Sequence, residues 1–596
     1  MGNKVISNRI LLGILDEFER DFEISNEESK SFENLVNYVA LSKYDPEAFS
    51  DSCVFDTVDV DKSGTFGIDT FALFINDSLI TNKSEIELHQ KTKRMDVRLV
   101  FIQTKRSTSI DSGDFLKFTT AVKNFFSPSP AIELSEELEV AKSLVDELFK
   151  PQNARLFAKK KPRCDLFYAT SGGLSTDETI LGLFKQEESS LKLSVPEMDS
   201  FTIKQIDSDY IIDSYNEIEN KYTVYINFEK NISCGEINGV EQSFIGYLPV
   251  EEFLKLIKGS DGNIRKNLFY ENVRDFQGNK NTVNTEISET LCDEQKIDKF
   301  LLLNNGVTIV AKEFSNIRSS EYEICDYYIV NGCQTSNVIY EHADKVGDSP
   351  FLKIPIKIVH TTDNNIITSL IRSTNRQTPV PDEAFISLEK FHKRLQEFYK
   401  RYSQDCFESL YYERRSKEFS NGYERVERPR IVNLHAQIRS FISIILGEPQ
   451  LVMSNNPTSI LKEHGSKMFQ EEHKHMPYFI SSLFLYLFYN LRQSKKISGK
   501  YVISRFWICW IARVLAFKQL DIGNLNSPKT EKKCDKIIRE LENEKYRVEL
   551  FRKSVKVFEQ AKAEHREMHG RQLNAQLVRL RTFRDIVKSQ LLKEIS

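Results

Sequence analysis

The chain lacks most of the features that announce a function class. Its nine cysteines (Cys53, Cys164, Cys234, Cys292, Cys325, Cys333, Cys406, Cys509 and Cys534) are scattered, with no C-x-x-C pair. That excludes the paired-cysteine metal and redox motifs and predicts reduced thiols in a cytoplasmic protein. Neither a Walker A sequence nor G-x-G-x-x-G occurs, so P-loop hydrolysis has no support. Basic charge is not in excess: 82 Lys and Arg stand against 86 Asp and Glu, a net charge of −4. Contact with nucleic acid must therefore use local patches. There is no internal repeat and no long low-complexity tract.

Long hydrophobic runs are also missing. MPYFISSLFLYLFYNL is short for a bilayer, and YVISRFWICWIARVLAF carries Arg505 and Arg513 within it. Both are expected to be buried helices, and no membrane association is expected. The opening MGNKVISNRILLG has no long apolar core and no small-residue cleavage site, so no secretory signal is expected. Ile6 stands where myristoylation requires Ser or Thr.

What is present is an α/β pattern. At 596 residues the chain exceeds one core. EESKSFENLVNYVALSKY has apolar residues at Phe32, Leu35, Val36 and Val39, a helical spacing. TFGIDTFALFINDSLI has strand composition with a turn at Asn76-Asp77, and Val97 to Ile102 is a further strand. SIDSGDFLKFTTAVKNFF and ELSEELEVAKSLVDELF are amphipathic helices, and RCDLFYATSGG is a strand entering a glycine turn. Ser175 and Glu178 form a capping-box pattern, and a helix is expected around Ile203 to Glu219. From about 221 the texture changes to strands with Asn- and Gly-rich corners, and after Pro381 it is helical to the end. The expected organisation is an N-terminal α/β domain over 1–220, a mixed α/β domain over 221–385 and a mostly α-helical domain over 386–596. The basic C-terminal stretch from Asn543 is expected to be a solvated helix with charge pairs.

The chemistry concentrates in LVFIQTKRSTS, Leu99 to Ser109. On a strand Gln103 and Lys105 share one face and Thr104 takes the other. Upstream stand Gly67-Ile68-Asp69 at a strand start and Glu33 on a helix. Phosphodiester hydrolysis needs a hard cation held by oxygen donors, which suits Mg2+ or Mn2+. Asp69 can supply a carboxylate, Gln103 an amide oxygen and Thr104 its backbone carbonyl. Lys105 can hold water or the scissile phosphate, and Glu33 can complete the shell. A rival pattern, Asp59-Val-Asp61-Lys-Ser63-Gly64, opens like a calcium loop, but Thr70 stands where the bidentate Glu should be. A polar turn is the better expectation there.

This order of residues resembles the restriction-endonuclease-like superfamily, D…(E/Q)-x-K on adjacent strands, and the Gln form with GID is similar to its Mrr-like branch. The resemblance implies metal-binding roles for Asp69 and Gln103, a water- or phosphate-orienting role for Lys105 and a helix-acid role for Glu33. The neutral Gln103 leaves the site one negative charge poorer than the Glu form. Further along, NLFYENVRDFQG, LLLNNGVTIVA, YYIVNGCQTSNVIY, PIKIVHTTD, STNRQTPV and LYYERRSKEF together resemble the AIPR family, the abortive-infection phage-resistance proteins, over roughly residues 225 to 450.

The corner at Asn331-Gly332 also looks like that of ParB-like and DGQHR domains, some of which bind nucleotides. A nucleotide or nucleic-acid site is therefore expected from Asn304, Asn305, Asn331, Gln334 and Thr335, with Arg274, Asn375 and Arg376 as phosphate partners. A purely structural role for these corners stands as the alternative. Tyr411, Tyr412, Arg414, Arg415 and Lys417 mix aromatic and basic groups suited to stacking and phosphate contact.

Together these readings imply a metal-dependent endonuclease of bacterial anti-phage defence, with DNA expected over RNA as substrate. The middle domain would sense a nucleotide ligand or engage nucleic acid. The helical region would form a homo-oligomer or dock a defence partner. The alternative is a nucleotide- or nucleic-acid-binding sensor with an inactive nuclease fold.

Overall fold

The computed structural model describes residues 6–24, 26–61, 66–90, 95–157, 161–219, 223–259, 262–269, 282–293, 295–363, 366–367, 369–370, 373, 382–414, 419, 426–454, 457–569 and 581–595. The architecture is mixed α/β, with both large sheets complete by His360 and helices dominating after residue 381. Two compact units form: residues 1–211 together with 382–596, and residues 212–381.

The first unit holds a five-stranded sheet of β1 (Thr70–Ile75), β2 (Ser78–Ile80), β3 (Val97–Lys105), β4 (Arg163–Thr170) and β5 (Ser200–Ile206), in the order β2-β1-β3-β4-β5. The β1–β2 hairpin turns at Asn76 and Asp77, both left-handed at φ 50° and 65°. That is the primed turn whose twist suits a hairpin, and Asn and Asp tolerate it. β3 pairs antiparallel with β1 and parallel with β4, and β4 pairs parallel with β5. The helix Ser112–Phe126 follows β3, capped by Asp111, whose side chain accepts from Asp114 N at 2.8 Å. Phe71, Phe101, Phe115, Phe118 and Phe125 fill the layer between helix and sheet; each such buried ring contributes roughly 1.5–3 kcal/mol.

Two local expectations are corrected. Residues 203–206 are strand, not helix, and the helix that follows is Ser208–Ile218. Phe201, Ile203 and Ile206 satisfy a strand as readily as a helix, and pairing with β4 decides. The helix Glu178–Ser194 is capped by Asp177, which accepts from Thr179 N, while Ser175 N donates to Gln205 Oε1 at 2.7 Å.

The C-terminal helices belong to the same unit. Met476–Gln493 and Arg505–Phe517, the two apolar runs, form its centre, and among the described residues no helix is long and apolar enough to cross a membrane. Arg513 is wholly buried there and donates to the carbonyls of Ile444 (2.7 Å), Ile445 (3.5 Å), Gln519 (3.2 Å) and Leu520 (2.6 Å). Ile444 and Ile445 close the helical segment that ends at Leu446, where carbonyls lack intrahelical partners, and their acceptance accommodates a charge inside an apolar helix. Ion pairs tie these helices to the N-terminal segment: Arg430 to Glu23 at 2.7 Å, Arg492 to Asp56, and Arg505 to Asp51.

The second unit is built on a six-stranded sheet of β6 (Thr223–Asn227), β7 (Lys230–Ser233), β8 (Gln242–Pro249), β9 (Val307–Arg318), β10 (Glu321–Asn331) and β11 (Lys353–His360), ordered β6-β10-β9-β11-β8-β7. Only β9 and β11 run parallel. The helices Val250–Ile257, Thr282–Cys292 and Cys333–Glu341 pack on the face lined by Ile309, Ile329, Ile356 and Ile358.

Candidate active site

Strand register builds the site. Thr70 pairs with Ile102, and Asp69 N donates to the Ile102 carbonyl at 3.1 Å, carrying the ladder one residue past the end of β1. Asp69 therefore reaches Gln103 and Thr104. Its Oδ2 accepts from Gln103 Nε2 at 2.8 Å and from Thr104 N at 2.6 Å. Gly67, at φ +81°, makes the approach to β1; a Cβ there would stand 3.2 Å from the Lys117 carbonyl.

The helix Glu28–Leu41 supplies the acid on the other side. Beside its apolar residues it carries Lys30, Glu33 and Asn37 at i, i+3 and i+7, one polar stripe. Thr70 Oγ1 donates to Asn37 Oδ1 at 2.9 Å, which fastens the helix to the residue beside Asp69. Lys30 Nζ lies 2.5 Å from Glu33 Oε1 and 2.9 Å from Asp59 Oδ2. Asp59 arrives through a bridge to Thr70, with Val60 N donating to the Asp69 carbonyl at 3.0 Å.

The acids are held in a dry place. Burial pushes the Asp69 carboxyl up to about 6, with the Thr104 N–H opposing and Asp61 adding to the rise. Burial, with the charges of Asp69 and Asp59 adding, pushes Glu33 up to about 8 against the pull of Lys30. For Lys30, burial disfavours the ammonium, but Glu33 and Asp59 outweigh it and raise its pKa. Lys105 is half-buried, close enough to lower Asp69 electrostatically, and its ammonium stands 3.3 Å from Asp114 Oδ2.

The structure thus brings the Asp69 carboxylate to the Gln103 amide and the Thr104 backbone with Lys105 near it, while Glu33 comes from the helix fastened at Thr70. Sequence reasoning missed Lys30 and Asp114 and gave Asp59 only a turn. The i,i+3 pairing of Lys30 with Glu33 was the available signal for the first; nothing in the spacing marks the others. Among the described residues no three His, Cys, Asp or Glu side chains converge as a ready-made metal cage. The donor set nevertheless suits Mg2+ or Mn2+. Mg2+ takes one or two carboxylates and fills its shell with water and phosphate oxygens. Gln103 would have to turn its amide, since its NH2 now faces Asp69.

The residues of the middle corner meet, and several spend their polar groups on each other. Asn304 Nδ2 donates to Thr335 Oγ1 at 3.2 Å, and Asn304 Oδ1 accepts from Gly306 N at 2.8 Å. Asn331 pairs with Thr308 in the sheet, and Gly332, at φ +100°, starts the helix that carries Gln334 and Thr335. Asn305 lies in the same corner, between Asn304 and Gly306. Arg274, Asn375, Arg376, Arg415 and Lys417 lie outside the described residues. Arg414 donates to Gln396 Oε1 at 2.8 Å. Tyr412 is buried and its hydroxyl meets His392 Nδ1 at 2.6 Å. Its ring therefore belongs to the helical core and offers no platform for a base, a correction to the stacking expectation.

A mixed α/β chain with a helical C-terminal region is the class that the geometry defines. Residues 269–564 match the family model described as AIPR protein, which supports the AIPR family for this chain. The matched span begins later and runs farther than the 225–450 marked by the motifs, taking in most of the helical region. The β1–β3 site lies outside it. No curated protein and no solved structure matches the chain.

Proposed function

We propose that the chain is a metal-dependent nuclease of an abortive-infection phage-defence system, cutting DNA in preference to RNA. The family match suggests the defence context. The observation that carries the nuclease reading is the grip of Gln103 and Thr104 on Asp69 Oδ2 at 2.8 and 2.6 Å, with Lys105 beside it. A divalent ion, Mg2+ or Mn2+, would lower the pKa of a bound water and neutralise charge developing on the phosphate.

In this reading Asp69, the Gln103 amide oxygen and the Thr104 carbonyl hold the ion. Lys105, released from Asp114, orients the scissile phosphate or the attacking water. Glu33 stands behind as a proton-holding acid: with its pKa near 8 it is poised to exchange a proton at neutral pH. The middle unit would sense a ligand, and the helical region would dock a partner or a second copy.

The test is cleavage of plasmid DNA and of RNA by purified protein with Mg2+ or Mn2+. Cleavage that disappears in Lys105→Ala and Asp69→Ala sustains the proposal. No cleavage with either metal, or undiminished cleavage by both variants, removes it. The neutral Gln103, whose NH2 rather than its oxygen meets Asp69, favours one second reading: a sensor with an inactive nuclease fold. That protein would be thermally stabilised by nucleotide or nucleic acid without hydrolysing it, and Asn331→Ala would weaken the stabilisation.

A further inference from the structure

The ammonium of Lys30 sits between two carboxylates that sequence separation does not explain. An i,i+3 helix pair accounts for the 2.5 Å contact to Glu33. The 2.9 Å contact to Asp59 comes from a different segment, delivered by the bridge between Asp59 and Thr70. The two acidic side chains are only 11% and 7% exposed, and one ammonium meets both. The position is near Asp69: Lys30 acts on the Asp69 carboxyl, the Asp69 charge acts on Glu33, and Asp59 precedes Val60, whose N donates to the Asp69 carbonyl.

We infer that Lys30 is a built-in cation that fills the second cation position of this site, so that the centre takes one divalent ion at Asp69 and not two. The inference rests on the nuclease reading for the ion at Asp69 and on the Lys30 contacts for the exclusion of a second. The exclusion is steric as well as electrostatic. A divalent ion bound by Glu33 and Asp59 would need their oxygens at about 2.0–2.2 Å, in the space the ammonium already occupies. The amine also carries one charge rather than two, and it cannot dissociate from the chain. The acid pair is thereby neutralised without a second ion, and catalysis of the proposed kind would lean on one metal plus Lys105.

The test is Mn2+ stoichiometry on the full chain, measured by electron paramagnetic resonance of the free ion at saturating Mn2+. Wild type binds one Mn2+ per chain, and Asp69→Asn loses it. Lys30→Met binds two, the second lost again when Asp59→Asn is added, while Lys30→Arg stays at one. Lys30→Gln substitutes for Lys30→Met should the latter fail to fold. Two ions on wild type, or one ion on folded Lys30→Met and Lys30→Gln, overturns the inference. No ion on wild type with one on Lys30→Met that depends on Asp59 removes the metal site at Asp69 and keeps the plug. No ion on any variant removes both.

Discussion

Two polar corners of this molecule use their side chains in opposite ways. At the middle corner Asn304, Thr335 and Gly306 satisfy one another, and Gly332 and Gly306 fill space that a Cβ would contest. At the β1–β3 edge the polar groups gather around buried acids, Asp69 held by Gln103 and Thr104 and Glu33 held by Lys30. Asp69 and Glu33 are buried acids raised to about 6 and about 8, because burial, with Asp61 adding at Asp69 and Asp69 and Asp59 adding at Glu33, outweighs the cations beside them. A corner that closes on itself stabilises a turn. A buried carboxylate cluster costs stability, and such a cost is the usual mark of a working site. On the proposed reading the contrast puts chemistry in the first unit and architecture at the Asn304 corner of the second.

The contrast can be broken at either end. The largest effect is expected at the β1–β3 edge, where Asp69→Ala and Lys105→Ala should each lower metal-dependent cleavage by at least about 10²-fold, the scale of losing one charge-stabilising group. In the middle unit Gly332→Ala should destabilise by roughly 2–3 kcal/mol in denaturant melts, because an L side chain would be held at φ +100° with its Cβ 2.7 Å from Val307 Cγ2. Asn304→Ala should cost about 1–2 kcal/mol by leaving Gly306 N and Thr335 without their partner. An Asn304→Ala protein of unchanged stability that no longer binds a nucleotide would reverse the assignment of that corner.

Glu33 sharpens the comparison through pH. Its folded pKa lies near 8, above its ordinary 4.5, so the fold holds a proton that the unfolded chain releases. The associated stability is complete below about pH 4.5 and is lost as pH rises through 8. In EDTA the melting temperature of wild type should therefore fall from pH 5 to pH 9 relative to that of Glu33→Gln; parallel curves would remove the buried-acid account. The smallest effect is the stability change of Lys105→Ala, expected within about 0.5 kcal/mol because the side chain is half-buried and pairs with a largely exposed Asp114.

Much of the site was legible because strands alternate faces. The period of two put Gln103 and Lys105 together, and the GID strand start put Asp69 within one residue of the β3 ladder. The helix acid Glu33 stood out among apolar neighbours. Asp59 did not, because an irregular segment has no period and its partner Thr70 follows only from the fold. The end of the strand Ser200–Ile206, from Ile203, was read into the helix that follows because Ile203 and Ile206 stand three apart, and pairing with a neighbouring strand decides otherwise. Tyr412 was read as a base-stacking residue from its basic neighbours, yet its hydroxyl is taken by His392 inside the helical core. Composition near a residue does not reveal which side of it is buried.

The most direct measurement is the initial rate of supercoiled plasmid relaxation by wild type and by Asp69→Asn with Mn2+, both proteins shown to melt alike. The account predicts Mn2+-dependent nicking by wild type and none above background from Asp69→Asn. Equal rates from the two proteins, or a wild type inert with DNA and RNA alike, would contradict it.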